Sequence, residues 1–317
     1  MKVLVNDPIS KSGIKMLEAA GFKVNAVKVA QEQLKTYINE NDINVLLVRS
    51  ATKVRKDIID SCPSLKLIGR GGVGMDNIDV EYAKSKGIHV INTPAASSES
   101  VAELVFAHLF TGVRSLHDAN RNMPLEGDSR FKELKKSYAG GTELRGKTIG
   151  IIGFGRIGRQ VARIALGLGM KVIASDQKEG EAEITLNFYN DQTITIPIKT
   201  EHVDQIIEHA DFITLHVPAQ KGPIIGKEEI ERMKDGAAII NTSRGGVVNE
   251  VALIEALESG KLSFAGLDTF EQEPTPSIKV LMNGHVSLSP HIGGSTVEAQ
   301  ERIAIELAEQ IIDLLKK

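Results

Sequence analysis

The feature that most constrains the fold of this chain is a glycine hexapeptide, GFGRIG at residues 153–158, together with the segments on either side of it. The apolar residues 147–152 before it predict a strand, and residues 159–165 after it have the pattern of a helix. A second apolar run, residues 170–175, ends at the acidic Asp176. The order strand, glycine turn, helix, strand and acid is typical of a dinucleotide-binding βαβ unit.

Each part of this unit has a physical role. Gly153 allows the tight turn, Gly155 lets the backbone approach a pyrophosphate, and Gly158 lets the helix pack closely on the strand. The N-terminus of the helix offers free N–H groups and a partial positive charge to the phosphates. Asp176 is expected to accept hydrogen bonds from a ribose diol and to repel a 2′-phosphate, so the sequence predicts NAD rather than NADP.

Composition limits the other possibilities. A chain of 317 residues predicts about two domains, and a formal net charge of −3 gives no support for nucleic-acid binding. The single cysteine, Cys62, cannot form an intrachain disulfide and is expected to be a buried structural thiol in a reducing compartment. The histidines lack metal-ligand spacing, so no metal is expected. With neither a signal peptide nor a membrane-length apolar run, we expect a cytoplasmic protein that does not bind membranes.

Alternating strands and helices predict an α/β fold with parallel sheets covered by helices on their faces. In the first hundred residues, short apolar runs predict strands at 2–5, 22–27, 44–48, 65–68 and 88–91. After the glycine turn, further strands are predicted at 149–152, 171–175, 211–217, 237–241 and 264–267. The sequence therefore contains two α/β units.

Four other segments have distinct patterns. A long helix is predicted from Ser98 through Leu116, with His108 on its apolar stripe as a core or interface histidine. Residues 121–145 are polar and predict an irregular segment. Residues 183–189 and 193–198 alternate with period two and predict a β-hairpin inserted after Asp176, as decoration or an oligomer contact. Residues 296–315 predict a final amphipathic helix.

Three polar residues follow apolar runs in the second unit, where ligands of open α/β sheets bind. Arg244 has the guanidinium needed to hold a carboxylate with two hydrogen bonds. His291 is suited to take a hydroxyl proton near neutral pH while hydride leaves the neighbouring carbon. Glu273, paired with it, would stabilise the protonated imidazole. Together these residues predict oxidation of a hydroxy acid by a nicotinamide cofactor.

Over nearly its whole length the chain resembles the D-isomer-specific 2-hydroxyacid dehydrogenases. The matching segments are the glycine turn and residues 69–79 (GRGGVGMDNID), 241–248 (NTSRGGVV), 266–274 (GLDTFEQEP) and 290–294 (PHIGG). The resemblance implies Arg244, Glu273 and His291 as the catalytic set. It also implies cofactor contacts from Val73, Gly153, Gly155, Arg156, Ile157, Gly158, Asp176, Val217, Thr242, Asp268 and Gly294. Asp268 would lie near the nicotinamide carboxamide.

The loops at residues 48–54 and 69–79 resemble those of family members that oxidise phosphoglycerate. That substrate carries a carboxylate and a phosphate, and Arg244 can neutralise only one of them. Arg49, Lys53 and Arg70 are therefore the predicted phosphate site, and Gly72 is also predicted to bind the substrate. Two alternatives stay open: a family enzyme acting on glycerate, hydroxypyruvate or glyoxylate, and a dinucleotide-sensing binding protein on the same fold.

The resemblance also implies two Rossmann-like or flavodoxin-like lobes, with the cofactor lobe inserted in a discontinuous substrate lobe. Residues 1–96 and 290–317 would bind substrate, residues 97–289 would bind NAD, and the cleft between them would close over the substrate. The long helix would contribute to a homodimer. The chain departs from the family pattern at the hairpin, and at Ser175 and Gln177 beside Asp176. A C-terminal regulatory domain is not expected.

Overall fold

The computed structural model describes residues 1–178 and 180–316. The chain divides into two compact units: unit 1, Met1–Ser100 with Gly294–Lys317, and unit 2, Val101–Gly293. Both are built on parallel sheets, so the predicted α/β class is confirmed. That the units act as a substrate domain and a cofactor domain, with functional boundaries at 96/97 and 289/290, stays a prediction.

Unit 1 contains a five-stranded parallel sheet in the order β2-β1-β3-β4-β5. Its strands are β1 Lys2–Val5, β2 Lys23–Asn25, β3 Val45–Val48, β4 Leu67–Arg70 and β5 His89–Asn92. Its helices are α1 Lys11–Ala19, α2 Leu34–Glu40 after a 3₁₀ turn at Gln31–Gln33, α3 Lys56–Ser61, α4 Val80–Ser85 and α13 Val297–Leu315. β3 is buried along its whole length because apolar clusters cover both faces of the sheet.

Unit 2 contains a six-stranded parallel sheet in the order β13-β12-β11-β10-β6-β7. Its strands are β6 Thr148–Ile152, β7 Lys171–Ser175, β10 Phe212–Leu215, β11 Ala237–Asn241, β12 Leu262–Leu267 and β13 Val286–Leu288. Its helices are α5 Ser98–Val113, which begins just before the unit boundary, α6 Leu116–Glu126, α7 Phe131–Ser137, α8 Arg156–Gly167, α9 Val203–His209, α10 Lys227–Arg232, α11 Glu250–Glu258 and α12 Ile278–Leu281. No helix of the described residues is long and apolar enough to cross a membrane.

The predicted hairpin is present, as β8 Glu181–Asn187 and β9 Thr193–Lys199 in antiparallel register. Ala182, Ile184 and Ile198 point into the same apolar cluster as the inner face of α8. Tyr189 at its tip is fully exposed. One face of the hairpin therefore packs against unit 2, and its tip is exposed to solvent.

The prediction of an irregular segment at residues 121–145 is wrong, because α6 and α7 occupy much of it. Neither helix has the apolar stripe from which helices are recognised: α6 buries no residue and contains Pro124, and α7 buries only Leu134. The long helix predicted through Leu116 also ends earlier, at Val113, because Ser115 adopts a left-handed backbone with φ 48°.

Candidate active site

The centre of the unit 2 sheet is a topological switch point, where the chain leaves neighbouring strands in opposite directions. β6 and β10 are adjacent there, and their carboxyl ends continue into Gly153 and His216. Gly153 has φ 94°, and an added Cβ would lie 2.4 Å from the His216 carbonyl oxygen. Only glycine fits this close contact, and ligands of open α/β sheets bind at such a point.

Helix α8 begins beside this contact, at Arg156, with Gly155 as its N-cap residue. No side chain caps the helix, so its first N–H groups are available to an anion. An added Cβ at Gly155 would meet no atom of the described residues within 4 Å, whereas one at Gly158 would lie 2.2 Å from the Gly153 carbonyl oxygen. The three glycines therefore give an open approach at one position and close packing at the other two.

Asp176 follows β7 and lies against the glycine turn. Its Oδ2 accepts a hydrogen bond from the Phe154 N–H at 2.7 Å, and the residue is half-buried. Nearby strand ends also carry two buried polar atoms, His216 Nδ1 and Thr242 Oγ1, that have no hydrogen-bond partner among residues 1–178 and 180–316. A turn that demands glycine, a free helix N-terminus and a carboxylate beside it fit the pyrophosphate and ribose of NAD.

His291 and Glu273 form a hydrogen-bonded pair. Glu273 Oε2 lies 2.8 Å from His291 Nδ1, and Glu273 Oε1 accepts the Phe270 N–H at 3.1 Å. Because the carboxylate is an acceptor, Nδ1 carries the proton, and a neutral ring then has its lone pair on Nε2. No hydrogen bond in the described part of the chain engages Nε2, and the ring is half exposed. The pair has the geometry of a general base held by a carboxylate.

Arg244 lies in the loop after β11 and is half-buried. The side chain of Asn241 shapes this loop by donating to the Arg244 carbonyl at 2.8 Å and accepting from the Ser243 N–H at 3.1 Å. The guanidinium donates to the Ser243 carbonyl from Nη1 at 2.7 Å. The loop after β12 packs against the loop after β11, since an added Cβ at Gly245 would lie 1.7 Å from the Phe270 carbonyl oxygen.

A pair of glutamates joins the same two loops. The Glu250 N–H donates to Glu271 at 2.9 Å, and the Glu271 N–H donates to Glu250 at 2.7 Å. Burial, together with the nearby charge of Glu271, raises the pKa of Glu250 although the Glu271 N–H bond opposes this. Arg244, Glu273 and His291 therefore lie after the carboxyl ends of β11, β12 and β13, which are neighbouring strands of the sheet.

Asp268, predicted to contact the cofactor, is fully buried, and its carboxylate is bonded to its own surroundings. It accepts the Ser289 hydroxyl at 2.6 Å and the N–H groups of Ile292 and Gly293 at 2.8 Å each. Its visible role is therefore to hold the loop that carries His291. Val217, also in the predicted cofactor set, is half-buried after β10, and Ile157 is half-buried in the first turn of α8.

Two residues of the predicted cofactor set, Val73 and Gly294, belong to unit 1. Val73 is partly exposed and its carbonyl accepts Asn92 Nδ2 at 2.7 Å. The Gly294 carbonyl accepts Gln300 Nε2 at 2.6 Å. These contacts leave the Val73 side chain uncommitted.

The predicted phosphate residues also lie in unit 1. Arg49 follows β3 and Arg70 ends β4, so these neighbouring strands bring their side chains to one edge of the sheet. Asn77 connects the two loops: its Nδ2 donates to the Arg49 carbonyl at 2.7 Å, and its Oδ1 accepts from Arg70 Nε at 3.3 Å. An added Cβ at Gly72 would lie 2.4 Å from Arg70 Nη1. Lys53 is exposed in the loop after β3.

The edge of the unit 1 sheet also carries an acid that the sequence analysis did not select. Asp7, buried after β1, accepts the Arg49 N–H at 2.7 Å and Lys28 Nζ at 2.5 Å. Burial alone would raise the pKa of Asp7, but bonds from Lys28, Arg49 and Thr52 lower it overall. Burial lowers the pKa of Arg49, and the charge of Asp7 opposes that.

Sequence reasoning missed the residues that shape these loops, among them Asn77, Asn241 and Ser289. Each is a short polar residue at the end of a strand or in the loop that follows one. Such residues often bond loop backbone, so their position was the signal from which they could have been predicted. Their partners are distant in sequence or are backbone atoms, so the pattern alone did not identify them. Among residues 1–178 and 180–316, no group of three or more His, Cys, Asp or Glu side chains is arranged to hold a metal ion.

Comparison with known proteins gives a consistent result. Residues 106–293 match the family model described as D-isomer specific 2-hydroxyacid dehydrogenase, NAD binding domain. The chain is 44% identical to a hydroxypyruvate reductase of Thermotoga maritima, over 98% of this chain and 97% of the relative. It is 43% identical to a D-3-phosphoglycerate dehydrogenase of Methanocaldococcus jannaschii, over all of this chain but only 58% of that relative. The crystal structure of D-lactate dehydrogenase from Aquifex aeolicus, complexed with NAD and lactic acid, superposes with a TM-score of 0.75 at 30% identity, covering 100% of this chain and 96% of that one.

Proposed function

Because the chain belongs to the family of D-isomer-specific 2-hydroxyacid dehydrogenases, we propose that it oxidises 3-phospho-D-glycerate to 3-phosphooxypyruvate, the first step of L-serine biosynthesis. NAD, when bound, supplies the hydride acceptor. The observation that carries the catalytic part is the His291–Glu273 pair. This pair and the glycine turn both follow the carboxyl ends of parallel strands of the unit 2 sheet.

In this proposal His291 is the general base. Its Nε2 would take the proton of the substrate hydroxyl. The carbon that bears this hydroxyl would lose its hydrogen as hydride to the nicotinamide, so that the C–O bond becomes a carbonyl. Glu273 holds the ring through Nδ1 and stabilises the imidazolium that forms. The reverse reaction uses the same groups, with the imidazolium as the acid.

Arg244 is proposed to bind the substrate carboxylate and the developing carbonyl oxygen. Support comes from its loop, which Asn241 and the neighbouring loop hold in place at the end of β11. A guanidinium held in this way can orient the C–H bond by gripping the carboxylate at two points.

The phosphate of the substrate is assigned to Arg49, Lys53, Arg70 and the backbone at Gly72. Support comes from the order of the unit 1 sheet, whose switch point lies between β1 and β3. Arg49 follows β3 at that point, and Arg70 ends the next strand. Two guanidiniums at one sheet edge match the charge of a phosphate dianion.

For NAD we propose that the turn Gly153–Gly158 and the N–H groups at Arg156 and Ile157 hold the pyrophosphate, and that Asp176 binds the adenine ribose. The other residues proposed to contact the cofactor are Val73, Val217, Thr242, Asp268 and Gly294.

A second candidate function is reduction of hydroxypyruvate. It is favoured by the 44% identity to the Thermotoga maritima hydroxypyruvate reductase over almost its full length. Hydroxypyruvate and its reduced form, glycerate, lack the phosphate, so the two candidates differ in what the unit 1 cations bind.

The test is steady-state kinetics of the purified enzyme with phosphoglycerate, glycerate and other D-2-hydroxy acids and NAD, and with hydroxypyruvate and glyoxylate and NADH. We expect phosphoglycerate to have the highest kcat/KM in the oxidative direction. The Arg49→Met enzyme should lose most of that efficiency while glycerate oxidation changes little, with Lys66→Met, an exposed lysine in unit 1, as the matched control.

Three results would contradict the proposal. Equal efficiency on phosphoglycerate and glycerate would remove the phosphate site. A clear preference for hydroxypyruvate would establish the second candidate. NADH binding without turnover of any substrate would indicate a dinucleotide-sensing protein.

A further inference from the structure

His108 lies in the middle of α5, buried in unit 2, and both of its ring nitrogens are hydrogen-bonded. Nδ1 lies 2.8 Å from Ser287 Oγ, and Nε2 lies 3.0 Å from Ser289 Oγ. Ser287 belongs to β13, and Ser289 begins the loop that carries His291. A helix residue is therefore tied by its side chain to the start of the proposed catalytic loop.

The position of His108 also depends on a glycine in the sheet. An added Cβ at Gly266 on β12 would lie 2.6 Å from His108 Cβ and 2.9 Å from Cγ. The imidazole thus packs directly on the strand that ends just before Asp268, and a side chain at Gly266 would displace it.

The direction of the hydrogen bonds follows from Asp268. Both of its oxygens accept backbone N–H groups, and the Ser289 hydroxyl donates to Oδ1 at 2.6 Å. Ser289 Oγ is then an acceptor for His108 Nε2–H, and Nδ1 accepts from the Ser287 hydroxyl. Burial lowers the pKa of His108, the Asp268 charge opposes this and His117 adds to it, so the ring is neutral near pH 7. One consistent chain runs from Ser287 through His108 and Ser289 to Asp268.

Asp268, at the end of this series of hydrogen bonds, holds the backbone on the C-terminal side of His291. Asp268 accepts the N–H groups of Ile292 and Gly293, and the His291 N–H bonds the Ser289 carbonyl at 3.1 Å. His291 itself has φ 54°, in the left-handed region that a histidine seldom adopts. Such a conformation persists only where neighbouring groups hold the backbone in place. Here those groups are Ser289 and Asp268.

We propose that His108 is a positioning residue for His291, acting through Ser289 and Asp268 to hold the catalytic loop in its left-handed turn. The role of His291 rests on the proposed function, whereas the hydrogen-bonded chain does not. His108 itself takes no part in proton transfer.

The test compares His108→Leu, His108→Gln and Ser289→Ala with the wild-type enzyme. Leu removes both hydrogen bonds, whereas Gln retains an N–H donor for Ser289 and should restore most of the activity. We expect His108→Leu to lower kcat by about tenfold or more, because a small misplacement of a catalytic group has effects of that size, with the KM for NAD within about twofold. Ser289→Ala should have a similar effect, and the double variant should be little worse than either single one, since both act in the same chain.

The matched control is His117→Leu. This neighbouring histidine also bonds a loop of unit 2, through Nε2 to the Gly284 carbonyl at 2.8 Å, and no hydrogen bond in the described part of the chain joins it to Ser289. It should lower the unfolding temperature and leave kcat unchanged. If His117→Leu lowered kcat as much as His108→Leu, the effect would be general destabilisation.

A readout that does not depend on turnover separates this inference from the proposed function. The NMR chemical shifts of the His291 ring, measured at one pH, should change in His108→Leu and Ser289→Ala and be restored in His108→Gln. Unchanged His291 ring signals and wild-type kcat in His108→Leu would overturn the inference. A wild-type protein without turnover would reject the proposed function and leave the NMR result to decide the inference.

Discussion

At the scale of single residues, Asp176 is the residue that we propose selects between NAD and NADP. Its carboxylate accepts the Phe154 N–H, so it lies next to the turn where the pyrophosphate is expected. Asp176→Asn keeps a similar shape and removes the charge that repels a 2′-phosphate. We expect the ratio of kcat/KM for NAD over NADP to fall by about one to two orders of magnitude, because the like-charge repulsion of the 2′-phosphate is removed.

Asp191→Asn is the control for this measurement. Asp191 lies at the hairpin turn with φ 62°, a conformation that asparagine also tolerates. It should leave the cofactor preference unchanged. If Asp176→Asn kept the full preference for NAD, the ribose assignment would be wrong.

His216 predicts how stability depends on pH. Although the residue is half-buried as a whole, its Nδ1 is inaccessible to solvent and has no hydrogen-bond partner in the described part of the chain. Burial lowers its pKa from 6.5 to about 3. The unfolded chain therefore binds this proton more readily than the folded one, and stability falls as pH decreases from 6.5 toward 3. The slope from this group is at most about 1.4 kcal/mol per pH unit.

Urea unfolding of the wild type and of His216→Gln at pH 7 and pH 5 measures this effect. The wild type should lose more stability between the two pH values than the variant, which has no proton to bind. Equal losses in the two proteins would mean that His216 is not buried in its neutral form.

At the scale of elements, the packing of α8 on β6 depends on glycine. An added Cβ at Gly158 would lie 2.2 Å from the Gly153 carbonyl oxygen and 3.1 Å from Ile151 Cγ2, so α8 would have to move away from the strand. We expect Gly158→Ala to destabilise the protein by about 1–3 kcal/mol. It should also weaken NADH binding, as measured by fluorescence titration, because the N-terminus of α8 moves with the helix.

Gly167→Ala, at the end of the same helix, is the control. Nothing lies within 4 Å of an added Cβ there, and its φ is not positive. It should stabilise the protein by a few tenths of a kcal/mol to about 1 kcal/mol and leave NADH binding unchanged. Equal effects of the two substitutions would contradict the close contact at Gly158.

The elements that sequence could predict are those with a strong local signal. The β6–α8 turn and the hairpin were predicted because glycine spacing and period-two alternation are local patterns. Helices α6 and α7 were missed because they bury almost nothing. Of the candidate site, Arg244, Glu273 and His291 were predicted from their place after apolar runs, and the structure pairs His291 with Glu273. The link from His108 to Ser289 was not, because its partners are 181 positions apart in sequence.

At the scale of the whole molecule, α5, α6 and α7 carry exposed apolar side chains. Those on this part of unit 2 are Phe110, Leu116, Met123, Leu125 and Phe131. Leu125 is 78% exposed, and several such residues on successive helices are typical of an interface. We therefore propose that this surface forms the homodimer.

Sedimentation velocity tests the dimer. The wild type should sediment as a dimer and Leu125→Glu with Phe131→Glu as a monomer, because a charge on each helix cannot be buried without a partner. Tyr189→Glu at the hairpin tip is the control and should stay dimeric. Dissociation by Tyr189→Glu alone would place the contact on the hairpin, and a monomeric wild type would reject the dimer.

The assignment of function depends most on His291 as the base. The direct measurement is the rate of NADH formation from phosphoglycerate and NAD by the wild type, by His291→Asn and by His285→Asn, an exposed histidine just before β13. We predict that His291→Asn lowers kcat by roughly 10²–10⁴, the contribution of a general base, while NADH still binds and His285→Asn has wild-type activity. A His291→Asn enzyme with wild-type turnover would contradict the mechanism.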